Sequence, residues 1–332
     1  MLKAGKLESD LLKKLVFDKI TYKSDAVKVR PGIGEDCAVI DFGAQECIMS
    51  TDPITAAVND IGRLSIHITC NDVASNGVQP LGIMLAVMLP EGTTEEEVGY
   101  IMGQAAETAG ALNVEIIGGH TEITPAVKKP VIVSTAIGRT ASGTSQDGND
   151  MMPGDYIMMT KSVGLEGAGI IACDHEVHLE NVLSEEEISR AKSFLDLVSV
   201  VPEGVAAGKI GTHGMHDITE GGILGAVWEM CQISGKGAQV WKERIPIEPE
   251  AAKICEFFDI DPLRLISSGS MVIIVAEEKK DAMEAAMKEA GVSSAIIGRV
   301  EESAYGIKLK ADGETVDVTP PSADEIYKVV GK

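Results

Sequence analysis

The spacing of apolar positions in the first part of the chain predicts alternating helices and strands. Residues 9–20 place apolar side chains on one face of a short helix. Residues 60–76 repeat that spacing after Asp60, and Gly77 follows where helices commonly end in a left-handed residue. Residues 81–89 form an apolar run of strand length, which predicts a buried strand.

A third helix and four further strands complete this region. The helix covers residues 94–112 and begins at Thr93 or Thr94, followed by three glutamates that suit the positive end of a helix dipole. The strands are expected at residues 37–41, 46–51, 114–117 and 131–137. The order β-β-α-β-α-β-β predicts an α+β domain over residues 1–140.

Residues 141–150 are expected to form a linker, because the stretch 140–150 is rich in Gly, Ser, Thr, Asp and Asn. A second α+β domain is expected over residues 151–332. Its strands are predicted at residues 156–160, 238–241, 271–275, 295–300 and 306–309. Its helices are predicted at residues 167–173, 184–198, 222–233, 249–258 and 279–290.

The composition changes this picture by excluding several classes of function. The net charge of -22 argues against a nucleic-acid partner and against binding to an anionic membrane surface. The sequence has neither a signal-peptide pattern nor an apolar run long enough to span a bilayer. Six cysteines without metal-ligand spacing are typical of a reducing compartment, so we expect a cytoplasmic protein.

The candidate chemistry lies in acidic residues beside glycines or turns at the ends of predicted elements. The sequence contains no P-loop, no dinucleotide fingerprint, no nucleophile elbow and no zinc-protease motif. The acidic segments are residues 32–36, 50–53, 71–72, 118–122 and 217–222. Carboxylates from separate segments suit Mg²⁺ ions that bridge a triphosphate, and glycines allow backbone N–H groups to approach phosphate oxygens.

Each segment also has a purely structural interpretation. Residues 32–36 could form an ordinary turn, and Asp72 could be a solvated helix residue. Asp217 and Glu220 could serve only to favour the start of the next helix. His120 could be a structural histidine, and Lys161 could be solvated or could contact a phosphate.

Taken in order, these segments resemble the superfamily of aminoimidazole ribonucleotide synthetase, thiamine monophosphate kinase, selenophosphate synthetase and the hydrogenase maturation factor HypE. GIGEDCAV at residues 32–39 resembles its G-[IG]-G-[DE]-D-A-A-V box. STD at 50–52, DIGRL at 60–64 and NDVASNGVQP at 71–80 resemble its next motifs. GGHTE at 118–122 is similar to its G-G-[DEH]-T box, and DITEGG at 217–222 to R-D-A-T-R-G-G or D-V-S-D-G-L.

The second domain favours the HypE family among these. IPIEP at residues 245–249 and CEFFDIDPL at 255–263 resemble the HypE segments P-[VI]-x-P and C-E-x-L-G-[LI]-D-P-L. IGRV at 297–300 resembles its late I-G-x-V strand. The similarity covers roughly residues 5–320, and the motifs are specific as a set.

The resemblance implies an ATP-using, Mg²⁺-dependent enzyme that phosphorylates an oxygen of a small or carrier-bound acceptor. It implies a homodimer in which the first domains pair to close a shared β-barrel, and a maturation-factor protein as a further partner. The implied metal ligands are Asp36, Asp52, Asp72, Glu122, Asp217 and Glu220. The implied nucleotide-binding residues are Gly32, Gly34, Glu35, Asp36, Asp60, Asn71, Gly118, Gly119 and Thr121. Lys161 and His120 are the catalytic candidates.

Three departures from the HypE pattern qualify that expectation. HypE ends in P-R-I-C, and its terminal cysteine carries the carbamoyl group that is dehydrated, whereas the last cysteine here is Cys255. We therefore expect an acceptor other than a C-terminal cysteine of this chain. Ser268 replaces the acid of the N-E-G-x-[LM] segment, and His120 replaces a common acid and leaves Glu122 as a substitute ligand.

Two other functions remain open at this point. The chain could be a non-catalytic nucleotide-binding protein that assembles maturation partners. It could also be a small-molecule kinase similar to thiamine monophosphate kinase, although the S-G-G-D-D-Y segment of that kinase is missing near residues 267–272.

Overall fold

The computed structural model describes residues 9–55, 60–146, 150–321 and 323–329. Its elements fall into two α+β regions, as the sequence predicts. The helices of the first region are α1 (Ser9–Leu15), α2 (Ile61–Ser75) and α3 (Glu95–Ala111). Its strands are β1 (Val27–Val29), β2 (Ala38–Asp41), β3 (Gln45–Ile54), β4 (Pro80–Leu89), β5 (Glu115–Ile123) and β6 (Val131–Ala141).

The six strands form one sheet in the order β1-β2-β3-β6-β4-β5. Neighbours in this sheet are antiparallel except β4 and β5, which run parallel with α3 as the crossover. Helix α2 covers one face of the sheet by packing on β3 and β6, and α3 packs on α2. The apolar face of α2 is buried in this core, where Ile61, Ile66 and Val73 have no exposed surface.

The second region contains the remaining elements. Its helices are α4 (Leu165–Asp174), α5 (Glu176–Leu179), α6 (Glu185–Ser193), α7 (Val201–Ile210), α8 (Gly222–Ser234), α9 (Pro249–Phe258) and α10 (Lys280–Glu289). Its strands are β7 (Tyr156–Thr160), β8 (Gly214–Asp217), β9 (Gly237–Trp241), β10 (Met271–Val275), β11 (Ser294–Glu301), β12 (Ile307–Ala311) and β13 (Glu314–Asp317).

These strands form a seven-stranded sheet in the order β13-β12-β9-β11-β7-β10-β8. The core on one side of the sheet contains residues of α8, and the core on the other contains residues of α7 and α10. A third apolar cluster joins α4, α6 and α9 to the final segment around Ile326 and Val329. None of the described helices is long and apolar enough to cross a membrane.

The two regions meet where α2 packs on α7. Two glycines on α7, one turn apart, allow the backbones to touch. A Cβ at Gly204 would lie 2.4 Å from the Ala74 carbonyl oxygen, and one at Gly208 would lie 2.4 Å from the Gly77 carbonyl oxygen. The side chain of Asn71 bridges the same junction, because its amide donates to Val198 O and accepts from Val200 N, each at 2.8 Å.

Several element boundaries differ from the sequence expectations. Strand β3 continues through Asp52 to Ile54, and β5 continues through the GGHTE segment to Ile123, so neither acidic segment follows its strand. Helix α7 and strand β8 were not predicted at all. The expected linker begins inside β6, and its residues 147–149 lie outside the described residues.

Candidate functional site

Four aspartates from four separate segments lie close together at the junction of the two regions. Asp36 is in the loop before β2, Asp52 in β3, Asp72 near the end of α2, and Asp217 at the end of β8. Asp36, Asp52 and Asp217 each act electrostatically on Asp72, and all four act on the Cys37 thiol. The structure therefore gathers carboxylates that are up to 181 residues apart, counted from Asp36 to Asp217, in one buried cluster.

The arrangement follows from the alternation of β3 and the packing of α2 on it. Ser50 and Asp52 are two residues apart, so their side chains share one face of the strand. Ser50 Oγ donates a hydrogen bond to Asp72 Oδ2 at 2.5 Å, and the Asp72 carboxyl also hydrogen bonds to Asp52. Thr51, between them, bonds instead to Thr135 Oγ1 and Ser134 O. The helix and the strand thus fix the separation of two acids.

The cluster is dominated by carboxyl groups, and two of its aspartates are deeply buried. Asp72 is 6% exposed and Asp217 is 1% exposed. Burial raises the pKa of Asp72 well above its usual range, and Asp217, Asp52 and Asp36 raise it further. Burial and the same acids raise the pKa of the Cys37 thiol. A divalent ion bound by these oxygens would favour the ionised carboxylates instead.

His216 belongs to this cluster, and the sequence argument missed it. It is 4% exposed, and its Nε2 lies 3.6 Å from Asp36 Oδ1 and 3.5 Å from Glu229 Oε2. Burial opposes protonation, but Asp36, Glu229 and Asp217 outweigh it and raise the pKa of His216 to about 10. A single histidine has no spacing signature. The available signal was that its position matches the basic residue before the aspartate in R-D-A-T-R-G-G.

Lys161 lies in a different, charge-balanced cluster. Its Nζ donates to Glu203 Oε1 at 2.5 Å, to Ser199 O at 2.7 Å and to Gly269 O at 2.6 Å. Burial lowers the pKa of Lys161, although Glu203 partly offsets this effect. Since an ammonium group has three N–H donors, all of them are occupied by protein acceptors in this structure.

The second region supplies a buried acid beside Ser268. Glu166, in the first turn of α4, is 6% exposed, and both the side chain and the backbone of Ser268 hydrogen bond to it. Burial raises the pKa of Glu166 to about 7, against the Ser268 hydrogen bonds that lower it, and Asp324 and Asp217 contribute to the rise. The acid that position 268 lacks is thus present nearby on a different element, which the linear motif did not indicate.

The GGHTE segment lies in β5, which is the edge strand at the other end of the first sheet from β1. Asp52 pairs with Ser134, Ser134 with Leu85, and Leu85 with Gly119. Three strand spacings separate Gly119 from Asp52, which is roughly 14 Å. Within one chain, Gly118, Gly119, His120, Thr121 and Glu122 therefore do not join the aspartates.

Edge strand β5 is mostly exposed, with the His120 Nε2 3.3 Å from Glu122 Oε2. Gly119 has a φ of +145°, and a Cβ there would lie 1.9 Å from the Leu85 carbonyl oxygen. The glycine is therefore required by the close β4–β5 pairing itself, whatever else the segment does.

The remaining candidate residues have other contacts. Asp60 lies at the opposite end of α2 from Asp72, 3.7 Å from Arg63 Nη2. Glu220 accepts a hydrogen bond from Tyr327 Oη at 3.0 Å, so it lies against the final segment. Asn71 uses both ends of its amide at the junction of the two regions.

The loop of residues 32–36 reaches the second region. Gly34 has a φ of +77°, and a Cβ there would lie 2.8 Å from Ile233 Cδ1 and 3.2 Å from Glu229 Cβ on α8. Gly32 and Glu35 share a turn in which Glu35 N donates to Gly32 O at 3.4 Å. Gly32, Gly34 and Glu35 thus position Asp36 against α8.

These features define a two-domain α+β protein with four aspartates gathered at the junction of its domains. Residues 34–140 match the family model of the N-terminal domain of AIR synthase related proteins, and residues 152–310 match that of the C-terminal domain. The chain belongs to the AIR synthase related protein family.

Its relatives within that family include HypE proteins. Carbamoyl dehydratase HypE of Rhizobium leguminosarum bv. viciae is 32% identical over 279 residues, covering 80% of this chain and 77% of that protein. A Methanocaldococcus jannaschii protein named for hydrogenase expression and formation is 28% identical over 336 residues, covering 98% of this chain and 97% of its own.

Solved structures share the fold. HypE in a complex with HypF aligns with a TM-score of 0.78 at 23% identity, over 94% of this chain and 99% of that one. Hydrogenase maturation protein HypE in complex with ATP aligns with a TM-score of 0.73 at 21% identity, over 97% of each chain. The two-domain α+β expectation is confirmed, while the shared β-barrel of a dimer stays a prediction.

Proposed function

We propose that this protein is a HypE-like, Mg²⁺-dependent enzyme that uses ATP to phosphorylate an acceptor oxygen, in the manner of a phosphotransferase or an ATP-driven dehydratase. The observation that carries the proposal is the convergence of Asp36, Asp52, Asp72 and Asp217. A related HypE solved with ATP supports the choice of nucleotide. Like-charged acids held together in a buried site are costly unless cations share them.

The donor set fits Mg²⁺. Carboxylate oxygens are the hard ligands that this ion prefers, and it usually takes only one or two per ion and completes its shell with water and phosphate. Asp36, Asp52, Asp72 and Asp217 would hold the ions. When bound, Mg²⁺ would neutralise charge on the ATP phosphates.

The remaining roles fall to side chains whose environments differ. Glu166, with a pKa of about 7, can hold or release a proton at its carboxyl group near neutral pH. Lys161 is proposed as a positioning residue, because its hydrogen bond to Gly269 O holds the loop that carries Ser268. His120 and Glu122 would reach a cluster of this kind only from a second copy of the chain, which fits the expected homodimer.

The acceptor is proposed to be a carbamoyl-type or similar oxygen carried by a separate molecule. The relatives named carbamoyl dehydratase support the chemical class. Cys255 is a poor carrier, since it is 2% exposed and burial raises its pKa to about 12. A maturation-factor protein is a reasonable source of the acceptor, given that a related HypE was solved with HypF.

The direct test is calorimetric titration of the full chain with Mg²⁺ and a non-hydrolysable ATP analogue. The variant Asp52→Asn/Asp72→Asn should lose measurable binding, because two cation ligands become neutral amides. The control Asp281→Asn/Asp317→Asn makes the same charge change at side chains that are 96% and 77% exposed, and should bind normally. Unchanged affinity in the Asp52/Asp72 variant would overturn the assignment.

A nucleotide-binding assembly protein without turnover is the second candidate. The observation that favours it is the full engagement of Lys161, which leaves that cation without a free N–H for phosphate. ATP turnover should be measured across acceptors that include carbamoyl compounds and thiamine monophosphate. ATP binding without turnover on any acceptor would select this candidate, whereas acceptor-dependent phosphate release would select the enzyme.

A further inference from the structure

We propose that Asp36, His216 and Asp217 form a divalent-cation site with a nitrogen ligand, which binds a transition metal ion such as Mn²⁺ or Co²⁺ in preference to Mg²⁺. The proposal refines the cation site of the proposed function, but its test needs neither ATP nor turnover. Ligand atoms of these three residues all lie within 4.8 Å of one another.

The His216 ring is oriented by a contact with the backbone. Its Nδ1 lies 2.6 Å from the backbone carbonyl oxygen of Asp217. A carbonyl oxygen only accepts, so Nδ1 is the ring nitrogen that donates there. Histidines that bind metals commonly donate their second N–H to a carbonyl in this way, which fixes the ring and directs the other nitrogen at the ion.

The other ring nitrogen of His216, Nε2, lies among carboxyl groups. It is fully buried, and its hydrogen bond with Glu229 is long. It faces Asp36 Oδ1 at 3.6 Å and Glu229 Oε2 at 3.5 Å, which are long for hydrogen bonds. Two ligand atoms that each lie about 2.1 Å from one ion are roughly 3 to 3.5 Å apart, so a small inward shift would suffice.

The backbone of His216 and Asp217 is also held by strand pairing. His216 and Asp217 are in β8, where they pair with Val272 and Met271 of β10. Ile218 N, immediately after, donates to Ser270 O at 2.8 Å. Two of the three ligands therefore come from β8, a buried strand at the edge of the second sheet, and the third comes from the Asp36 loop.

The chemistry of the donors sets the preference among ions. Imidazole nitrogen suits transition ions, whereas Mg²⁺ prefers oxygen ligands alone. A site of one imidazole and two carboxylates should thus favour Mn²⁺ or Co²⁺, while a site built only from the aspartates would favour Mg²⁺. The competing explanation is that His216 is a protonated counter-charge for Asp36 and Glu229 that never contacts an ion.

The experiment titrates the metal-free full chain with Co²⁺, without nucleotide, and follows the visible absorption of the bound ion. Co²⁺ should bind the wild type, with affinity falling at least 10-fold in His216→Asn, while Mg²⁺ affinity, measured by competition, changes less than about 3-fold. The control His213→Asn removes a histidine of the same segment that contacts Asp155 alone, and should leave both affinities unchanged.

A second measurement does not depend on any variant folding. Mn²⁺ bound to the wild type should show electron spin echo modulation from one imidazole ¹⁴N. Absence of that modulation, or equal Co²⁺ affinity in the wild type and His216→Asn, would overturn the proposal and leave His216 as a counter-charge. If nucleotide fails to bind while the nitrogen signal is present, the ATP function fails and the metal site stands.

Discussion

Two buried clusters of ionisable groups lie near the junction of the domains, and they differ in how their charge is balanced. Around Lys161, one ammonium group meets one carboxylate, Glu203, and two carbonyl oxygens complete its hydrogen bonds. Among the described residues around Asp72, three further aspartates and Glu229 lie near one histidine, His216. The first cluster pairs opposite charges one to one, whereas carboxyl groups outnumber cations among the described residues of the second.

Buried charges with matched partners thus differ from buried charges of one sign, which are expected to bind a ligand of the opposite sign. A buried ion pair with matched partners resists the loss of either one. A buried excess of one sign is unfavourable by itself and persists where a ligand of the opposite sign compensates it. From this difference in charge balance, we expect Lys161 to act through the architecture and the aspartates to bind the ligand.

The largest effect should come from breaking the balanced cluster. Lys161→Met leaves Glu203, which has no exposed surface, without its cation, and should lower the free energy of unfolding by about 3 to 5 kcal/mol. Urea denaturation measures the change. Lys253→Met, which removes an exposed ion pair with Glu187, should cost less than about 1 kcal/mol.

A double variant sharpens this prediction. Lys161→Met/Glu203→Leu removes both charges and should recover part of the lost stability. If Lys161→Met abolishes ATP turnover and leaves the unfolding curve unchanged, Lys161 acts on substrate and the two clusters are not different in kind.

A smaller effect, a gain in stability this time, is expected when the charge of Glu166 beside Ser268 is removed. The pKa of Glu166 is about 7 in the folded protein, against an ordinary value of 4.5. The folded state thus keeps a proton that the unfolded state releases between these values, so stability falls as the pH rises through that window. Glu166→Gln should match the wild type below pH 4.5 and exceed its stability by about 3 kcal/mol above pH 7.

Urea denaturation of both proteins from pH 4 to pH 8 measures this difference. Glu289→Gln, an exposed substitution in α10, should leave the unfolding free energy unchanged within about 0.5 kcal/mol. A Glu166→Gln variant less stable than the wild type at pH 8 would show that the carboxylate is well compensated. Loss of turnover in the stabilised variant would support its proton-transfer role.

The smallest of the three effects concerns Asn71, the neutral neighbour of Asp72. Asn71→Ala leaves Val198 O and Val200 N without their partner and should cost about 2 kcal/mol in unfolding free energy. Ser75→Ala, which removes one bond to the carbonyl of Asn71 within α2, should cost less. If Asn71→Ala weakens ATP binding without a change in stability, Asn71 contacts the nucleotide and is not primarily a domain clamp.

The sequence predicted the elements whose signals are local. Helix α3 begins after Thr94, one of the two expected start residues, and α9 begins at Pro249 and ends at Phe258 as expected. Helix α7 was missed, because Gly204 and Gly208 lower helix propensity and are there for contact with α2. Strand β8 was missed because its four residues are all buried and show no alternation.

The site was predictable only as far as its motifs extend. The aspartates stand in segments whose order is informative, and the structure brings four of them together. The partners of Lys161, Glu166 and His216 could not be inferred, because each contact joins residues far apart in sequence through packing. Lys161 and Glu203, for example, are 42 residues apart and meet because α7 packs on the sheet that contains β7.

The contact between Gly204 and Ala74 also limits how substrate can enter. Because the backbones of α2 and α7 are in contact at this point, a rotation that separates the two domains would break many contacts at once. A ligand should therefore reach the aspartates through small shifts of the segment around Gly34, which packs against Ile233 and Glu229 of α8. A larger side chain at Gly204 would change the distance between the aspartates of the first domain and Asp217 of the second domain.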